Sequence, residues 1–296
     1  MSCKIGFIGL GQMWSRMCKR LLAAEHTVVA YDLSAARAAE MARLGASQAA
    51  SPKEVALLAD YILLSLPDSA AVESAVLGPE GAIHGARQGA VLIDLTSAKP
   101  LSTRKIAAEL EKIGVAMLDA PVSRGAQGAE NGTLSMMVGG DAAVLERCKP
   151  FLAVLATDIY HVGGIGAGHI LKMLNNLVSS TCFLITTEAI ALGAKAGLDP
   201  HVINSVINGS SGMSYATDRR FPEQVFTNKL NSGFAIRLMQ KDVAMALELS
   251  QQLMVPMPIG ANTVQVYTKA MAEGLADKDN MYLVEVIEEL VGVKVR

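Results

Sequence analysis

Short, uninterrupted apolar runs alternate with amphipathic stretches through the first 160 or so residues. Runs at 4–9, 27–32, 61–66, 91–95, 115–119, 134–138 and 159–162 have the length of strands. The early ones lack apolar–polar alternation, as expected of parallel strands covered on both faces. Segments such as 12–24 and 101–112 carry the 3.6-residue period of helices. Ser51-Pro52-Lys53-Glu54 reads as a helix start: serine caps, proline takes the first turn and glutamate reaches back. This alternation predicts a doubly wound α/β domain.

After His161 the pattern changes. Val162-Gly163-Gly164-Ile165-Gly166-Ala167-Gly168 is a glycine-rich hinge, and beyond it helical signals replace strand signals. Residues 168 to about 195 read as one long helix, apolar nearly all round and therefore expected to be buried. Further helices are expected near 200–208, 236–253 and 259–273. The domains are placed at 1–163, an α/β unit, and 164–296, an all-α unit.

Composition narrows the class. The 296 residues are 51% hydrophobic, which excludes wholesale disorder. A net charge of −2 argues against a general nucleic-acid binder, which needs clustered cations to replace counterions. No apolar run is read as a membrane span, and no signal peptide is seen ahead of Lys4. Cys3, Cys18, Cys148 and Cys182 have neither metal-ligand nor redox spacing. They are read as reduced, mostly buried thiols of a cytoplasmic protein. The five histidines show no zincin pair, and no metal site is expected.

The chemistry begins at Gly9-Leu10-Gly11-Gln12-Met13-Trp14, which follows the first strand and opens a helix. The first glycine permits the turn, and the second lets backbone approach a pyrophosphate drawn to the helix N-terminus. Asp32 ends the second strand 21 residues after Gly11, where a carboxylate hydrogen-bonds the ribose hydroxyls of NAD. NAD is favoured over NADP, although Arg37 is near enough in sequence to blunt the preference. Trp14 stands where a third glycine is usual. It can swing outward, stack on the cofactor, or push the helix away. Leu66 and Pro67 after one strand, and Ser97 after another, are further cofactor candidates, each equally readable as an ordinary turn.

Lys172 falls in the first turns of the long helix, with Asn176 on the same face and Ser179, Ser180 and Thr187 roughly continuing the polar stripe. A lysine ammonium can give a proton to a carbonyl receiving a hydride, and its neutral form can take one back. The bland reading is a lysine that snorkels to solvent. Asp119-Ala120-Pro121-Val122-Ser123-Arg124-Gly125 also follows a strand. Ser123 and the amides after it can hold a substrate carboxylate, and Arg124 can add a bidentate anchor, or be a solvated surface arginine. Lys241-Asp242, alone, would pass for an exposed charged pair.

Taken together these segments resemble the β-hydroxyacid dehydrogenase family, which includes 3-hydroxyisobutyrate dehydrogenases and tartronate semialdehyde reductases. Four matches carry the resemblance over essentially the whole chain: Gly9 to Met13, Asp119 to Ser123, Gly166 through Lys172 to Asn176, and Lys241-Asp242. Asp158 to Gly163, with Ser210-Ser211-Gly212 and Ser214-Tyr215-Ala216, is especially similar to the 2-(hydroxymethyl)glutarate dehydrogenases. The resemblance implies an N-terminal Rossmann domain, a long interdomain helix and an all-helical C-terminal domain that mediates oligomerisation. It further implies that Lys172 is the general acid/base, that Ser123 and Asn176 bind substrate, and that Lys241 lies by nicotinamide and substrate.

Two positions depart from the pattern: Trp14 and Arg124 each replace a usual glycine. The family's sulfolactaldehyde reductases are similar in having an arginine there, for a sulfonate. The expectation is therefore an NAD-dependent dehydrogenase of a 3-hydroxy acid bearing a second anionic group, dicarboxylate or sulfonate, working as a homodimer or homotetramer. The alternative is a catalytically idle relative that binds a ligand or partner, which Trp14 favours and Lys172 with Asn176 oppose. An imine reductase is a third reading, disfavoured because those enzymes usually lack the lysine.

Overall fold

The sheet expected of the first half is built from nine strands. They are β1 (Lys4–Ile8), β2 (Thr27–Tyr31), β3 (Ser47–Gln48), β4 (Tyr61–Leu64), β5 (Val91–Asp94), β6 (Ala116–Asp119), β7 (Val122–Ser123), β8 (Leu134–Gly139) and β9 (Ala156–Gly163). The computed structural model describes residues 2–296, and the side chain of Gln12 lies outside the described residues. Strands run in the order β3-β2-β1-β4-β5-β6, all parallel, with the order reversing between β1 and β4. That reversal is the switch point outside which such sheets bind ligands. β8 returns antiparallel to β6 and β7, and β9 pairs with it in parallel. All seven anticipated strands are present; β3 and β7, two residues each, gave no periodic signal.

Seven helices accompany these strands: α1 (Gln12–Ala23), α2 (Ala35–Arg43), α3 (Pro52–Leu58), α4 (Ser69–Leu77), α5 (Pro100–Glu111), α6 (Gly125–Asn131) and α7 (Ala142–Leu152). The start of α3 is the capping box read from sequence. Ser51 Oγ accepts from Glu54 N–H, and the Glu54 carboxylate reaches back to Ala50 N–H. Strand side chains alternate between two cores. Ile5 and Phe7 pack with Met17 and Leu21 of α1 and with Leu145 and Phe151 of α7. Ile8, Ile62 and Leu92 pack with Val55 of α3, Val72 of α4 and Ile106 of α5. The doubly wound fold is thus a direct consequence of apolar residues on both faces of each strand.

Trp14 neither swings outward nor stands over the glycine turn. It is 1% exposed and lies inside the first of these cores, edge-on to Phe7 at 4.5 Å between ring centroids. Its indole N–H has no partner among the described residues, a loss of order 1–3 kcal/mol. Burial of the ring and its aromatic contact offset that loss.

The chain divides into two compact units, one ending at Lys172 and the other Met173–Arg296. Helix α8 (Ala167–Lys195) begins in the first and continues through the second. The second unit adds α9 (Pro200–Asn208), a wide π-type turn (Ala216–Val225), α10 (Ile236–Gln252), α11 (Pro258–Ala272) and α12 (Leu283–Val291). Phe183 and Ile190 of α8, Phe221 of the π-type turn, Val243 of α10, Tyr267 of α11 and Ile287 of α12 share its core. The π-type turn and α12 were not anticipated.

One expectation for α8 is corrected. Its length and mean hydropathy of 1.5 are those of a membrane span, yet only 44% of its most apolar window is buried. Leu171, Leu174, Val178, Ile185 and Leu192 are exposed. The opposite face buries Phe183 and Ile190 and carries Lys172 and Asn176, as in a core helix with one uncovered side.

The burial of Trp14 gives a stability prediction. Trp14→Ala leaves a cavity between β1 and α1 and is expected to cost about 3–5 kcal/mol. The check is the urea midpoint at unchanged denaturant slope. A loss below about 1 kcal/mol would mean the ring is not a core element.

Candidate functional site

At the carboxyl end of β1 the backbone turns through Gly9, whose φ is +93°. A Cβ there would stand 2.3 Å from the Ser65 carbonyl oxygen, so only glycine fits. Gly11 is the N-cap of α1 and provides no side-chain acceptor. A Cβ built on it would meet nothing within 4 Å, so the backbone faces open space. Trp14 N–H is taken by Gly11 O at 3.0 Å, and the backbone N–H groups ahead of it, with the positive end of the helix dipole, face an external anion, which is what a dinucleotide pyrophosphate requires. Met13 is half-buried against the core, so it faces such a ligand with backbone only.

Asp32 sits immediately beyond β2. Its Oδ2 accepts from Leu10 N–H at 2.6 Å and its Oδ1 from Ser34 N–H at 2.8 Å. The carboxylate therefore pins the glycine turn to the second strand end. Arg37 Nη1 lies 3.9 Å from it. The neighbouring strand ends are tied together too: Leu66 N–H donates to Thr96 Oγ1, and Thr96 N–H donates to Asp94 Oδ1. Pro67 is exposed and Ser97 half-buried beside these ties. The residues present fit NAD.

Asp119, last residue of β6, governs the start of α8. Its Oδ1 accepts from Gly166 N–H at 2.7 Å and its Oδ2 from His169 N–H at 2.8 Å. A strand-end carboxylate thus caps a helix 50 residues away in sequence. The approach is close enough to dictate glycines. A Cβ on Gly168 would lie 2.2 Å from Met137 O, and one on Gly139 would lie 2.5 Å from Asp119 Oδ1. His169, fully buried, bonds Thr103 Oγ1 through Nδ1 at 2.7 Å and turns Nε2 toward Asp94 Oδ2 at 3.8 Å. Burial pushes the Asp119 carboxyl up to about 6, against the opposing pull of the backbone N–H groups it accepts from.

One turn on, Lys172 Nζ donates to Ser123 Oγ of β7 at 3.1 Å. The structure thus brings together two of the residues singled out from sequence. Arg124 is directed elsewhere. Its backbone is left-handed, with φ +79°, a conformation that is costly for a residue with a Cβ. Its guanidinium donates to Thr133 O and Thr157 Oγ1 and pairs with Asp158 Oδ2 at 2.6 Å. Hydrogen bonds from Thr157 and then Arg124 hold the Asp158 carboxyl below its ordinary range. The charge expected to anchor a substrate already has a carboxylate. Gly125, at φ +57°, is exposed.

In the second unit Asn176, 5% exposed, donates from Nδ2 to Asp242 Oδ2 at 2.6 Å and accepts Asn175 Nδ2 on its own oxygen. Asp242, on α10, is fully buried and its Oδ1 lies 3.3 Å from Lys241 Nζ. Asp242 therefore orients both Asn176 and Lys241. Sequence reasoning gave roles to those two, and quoted Asp242 and Asp119 only as members of matching motifs, without a role; His169 was given none. An acidic residue in an otherwise apolar helical stretch was the available signal for Asp242.

Comparison with known proteins gives a consistent result. Residues 4–163 match the family model of the NAD binding domain of 6-phosphogluconate dehydrogenase, and residues 166–287 match that of NAD-binding of NADP-dependent 3-hydroxyisobutyrate dehydrogenase. The chain is 40% identical to 2-(hydroxymethyl)glutarate dehydrogenase of Eubacterium barkeri over 99% of its own length and 98% of that protein's. It is 33% identical to 3-sulfolactaldehyde reductase of Escherichia coli K12, covering 98% and 97%. The solved structure of Mycobacterium tuberculosis 3-hydroxyisobutyrate dehydrogenase with L-serine superimposes with a TM-score of 0.90 at 31% identity, covering 97% and 99%.

The Asp119 cap has a pH signature. With an ordinary value of 3.8 and a folded value of about 6, its contribution to stability is fully present below pH 3.8 and is lost as pH rises through about 6. Asp119→Asn removes that titration. Between pH 3.5 and 7.5 the stability difference is expected to move against the wild type by about 3 kcal/mol. Urea titrations of both proteins across that range provide the check; a difference constant with pH would show that Asp119 is not perturbed.

Proposed function

We propose Lys172 as the acid–base group of this chain, which belongs to the β-hydroxyacid dehydrogenase family and is an oxidoreductase acting on 3-hydroxy acids or their semialdehydes with NAD. The observation that carries the assignment is the 3.1 Å contact between Lys172 Nζ and Ser123 Oγ, at the end of a helix start fixed by Asp119. NAD, when bound, would supply the hydride acceptor or donor. In the direction of reduction the Lys172 ammonium gives its proton to the substrate carbonyl oxygen. In oxidation the neutral amine takes the hydroxyl proton. Ser123 Oγ, with the backbone N–H groups of Arg124 and Gly125, holds the substrate carboxylate. Asn176 is the further substrate-binding candidate and Lys241 the candidate for nicotinamide and substrate, both oriented by Asp242 within the second unit.

Gly9, Gly11, Gln12 and Met13 would hold the pyrophosphate by backbone, Asp32 the ribose, and Leu66, Pro67 and Ser97 the flank of the dinucleotide. Trp14, the departure that favoured an idle relative, is inside the core and leaves the glycine turn open. This supports an active enzyme, as does the agreement of Lys172 with Asn176 on one helix face. The division of labour is placed at residue 163, and the site of action in the cytoplasm, with its pyridine nucleotide pool.

A second copy of the chain is the partner that the uncovered side of α8 fits. Leu171, Val178, Ile185 and Leu192 recur every seven residues, and Leu174 lies on the same stripe. That repeat makes a seam which a second copy of the helix can pack against. Lys172 and Asn176 lie on the other side of the helix, so pairing leaves them free of the seam.

Two outcomes follow. Lys172→Met is expected to lower kcat/KM for 3-hydroxy acids by about 1,000-fold while the NADH dissociation constant stays within about twofold, read by steady-state kinetics and calorimetry. Activity within tenfold of wild type would remove Lys172 from the mechanism. The Val178→Glu/Ile185→Glu variant is expected to sediment as a monomer at concentrations where the wild type is a dimer or tetramer. A monomeric wild type would overturn the seam.

A further inference from the structure

His169 has no part in the reaction described above, yet it stands at the centre of a buried polar cluster. Its side chain is 1% exposed. Nδ1 lies 2.7 Å from Thr103 Oγ1 of α5 and 4.0 Å from Asp119 Oδ2, and Nε2 turns to Asp94 Oδ2 of β5 at 3.8 Å. Thr103, Asp94 and Asp119 are themselves buried, and Thr103 Oγ1 also reaches the Lys99 carbonyl oxygen at 3.2 Å. Burying an imidazole with two carboxylates is costly, and an apolar side chain of similar volume would serve a core at least as well. The ring answers a need of geometry rather than of stability.

That need is rotational. The two Asp119 bonds go to the backbone of Gly166 and His169 and set the register of α8. Helix backbone lies only about 2 Å from the axis, so a cap there is a short lever against rotation. The His169 side chain reaches outward to α5 and β5 and is a longer one. Lys172, three residues on, is its neighbour on the helix surface. For an Nζ about 6 Å from the axis, a helix rotation of about 20° is a displacement of about 2 Å. That is enough to break the 3.1 Å contact with Ser123 Oγ. The carboxylate facing the ring has a second task. Asp94 Oδ1 accepts from Thr96 N–H, and Thr96 Oγ1 accepts from Leu66 N–H. The ring thus refers the start of α8 to the strand ends proposed to flank the dinucleotide. All of these groups belong to the first compact unit.

We propose that His169 is a positioning residue for the acid–base step: its ring, held by Thr103 and set against Asp94, fixes the rotation of α8 that keeps Lys172 Nζ at Ser123. The inference rests on the assignment of Lys172 given above, through which His169 acts.

The test compares three variants with NAD and 2-(hydroxymethyl)glutarate or 3-hydroxyisobutyrate. His169→Leu, which fills the space without either ring nitrogen, is expected to lower kcat about 10- to 100-fold. KM and the NADH dissociation constant are expected to stay within about threefold. His169→Asn, whose amide can take the place of Nδ1 toward Thr103, is expected to recover most of the loss. Thr103→Val removes the partner hydroxyl at nearly constant shape and decides the matter if His169→Leu does not fold; a fall in kcat of about 10-fold is expected. In a Lys172→Met background, His169→Leu is expected to cost less than about threefold more, because the residue it positions is gone. Unchanged kcat in both His169→Leu and Thr103→Val, or the same fall with and without Lys172, would overturn the proposal. If the wild type turns over neither acid, the dehydrogenase reading fails by itself, and a readout without turnover remains. Lysines are dimethylated with 13C-formaldehyde, and the Lys172 signal is assigned by its loss in Lys172→Met. A displaced Lys172 signal in Thr103→Val supports the positioning role, and an unmoved one overturns it.

Discussion

The bond on which the site depends is the one between a strand end and a helix start. Asp119 leaves β6 with its carboxylate aimed at the backbone of Gly166 and His169, and so fixes where α8 begins. Lys172 is three residues beyond His169, and its Nζ reaches Ser123, which follows Asp119 by only four residues. The two ends of the Lys172–Ser123 contact are thus referred to the same carboxylate, one through the chain and one through the cap. A side chain as long as lysine has many rotamers to lose, and a helix start that shifted by one residue would swing its Cβ by about 100°. A carboxylate accepting two backbone N–H bonds suppresses that shift. The cost is visible in Asp119 itself, whose burial raises its pKa despite those bonds. The glycines at 139 and 168 are the steric counterpart: each is where a Cβ would drive the two segments apart.

The glycine turn shows how one rule can be broken without damage to its purpose. The third glycine of such turns serves packing of helix on strand rather than contact with phosphate. Trp14 meets the same packing demand in the opposite way, by filling the space between β1 and α1 rather than minimising it. The groups that would meet the pyrophosphate, the backbone at Gly9 to Met13, are unaffected, because the large ring points into the sheet side of the helix. Sequence alone left three directions for this side chain open. The inward one follows from Phe7, two residues before the turn, whose ring offers an aromatic edge-to-face contact beneath the helix.

What could be read from the sequence was whatever local chemistry dictates. Ser51 and Glu54 cap α3 because a serine three residues before a glutamate has a backbone task to perform. The seven longer strands and α8 announce themselves by apolar pattern. β3 and β7 do not, since two residues contain no period, and the π-type turn does not, since its hydrogen bonding has no distinctive residue code. Arg124 is the instructive case. Its neighbours in sequence suggested an anion anchor, but its partner, Asp158, is 34 residues away and reaches it only because β8 lies between β7 and β9. A charge can be counted from sequence; which partner it meets in the fold is a tertiary fact. The same limit hid Asp242, whose significance is that it meets Asn176 and Lys241 together.

Helix α8 carries two faces on one cylinder, and reading them as one average explains why its composition looked uniformly apolar. Phe183 and Ile190 serve the core of the second unit. Leu171, Val178, Ile185 and Leu192 keep a seven-residue repeat on the uncovered side. Lys172, Asn176 and Ser179 share the face of Phe183 and Ile190, where polar groups are few but each has a specific partner. A helix that served only a core would need none of these polar residues, and a solvent-facing one would not keep its seam apolar. The mean hydropathy averages the two faces and so mimics a membrane span. Resolving the faces turns that average into two stripes, one buried and carrying partnered polar groups, the other exposed and apolar.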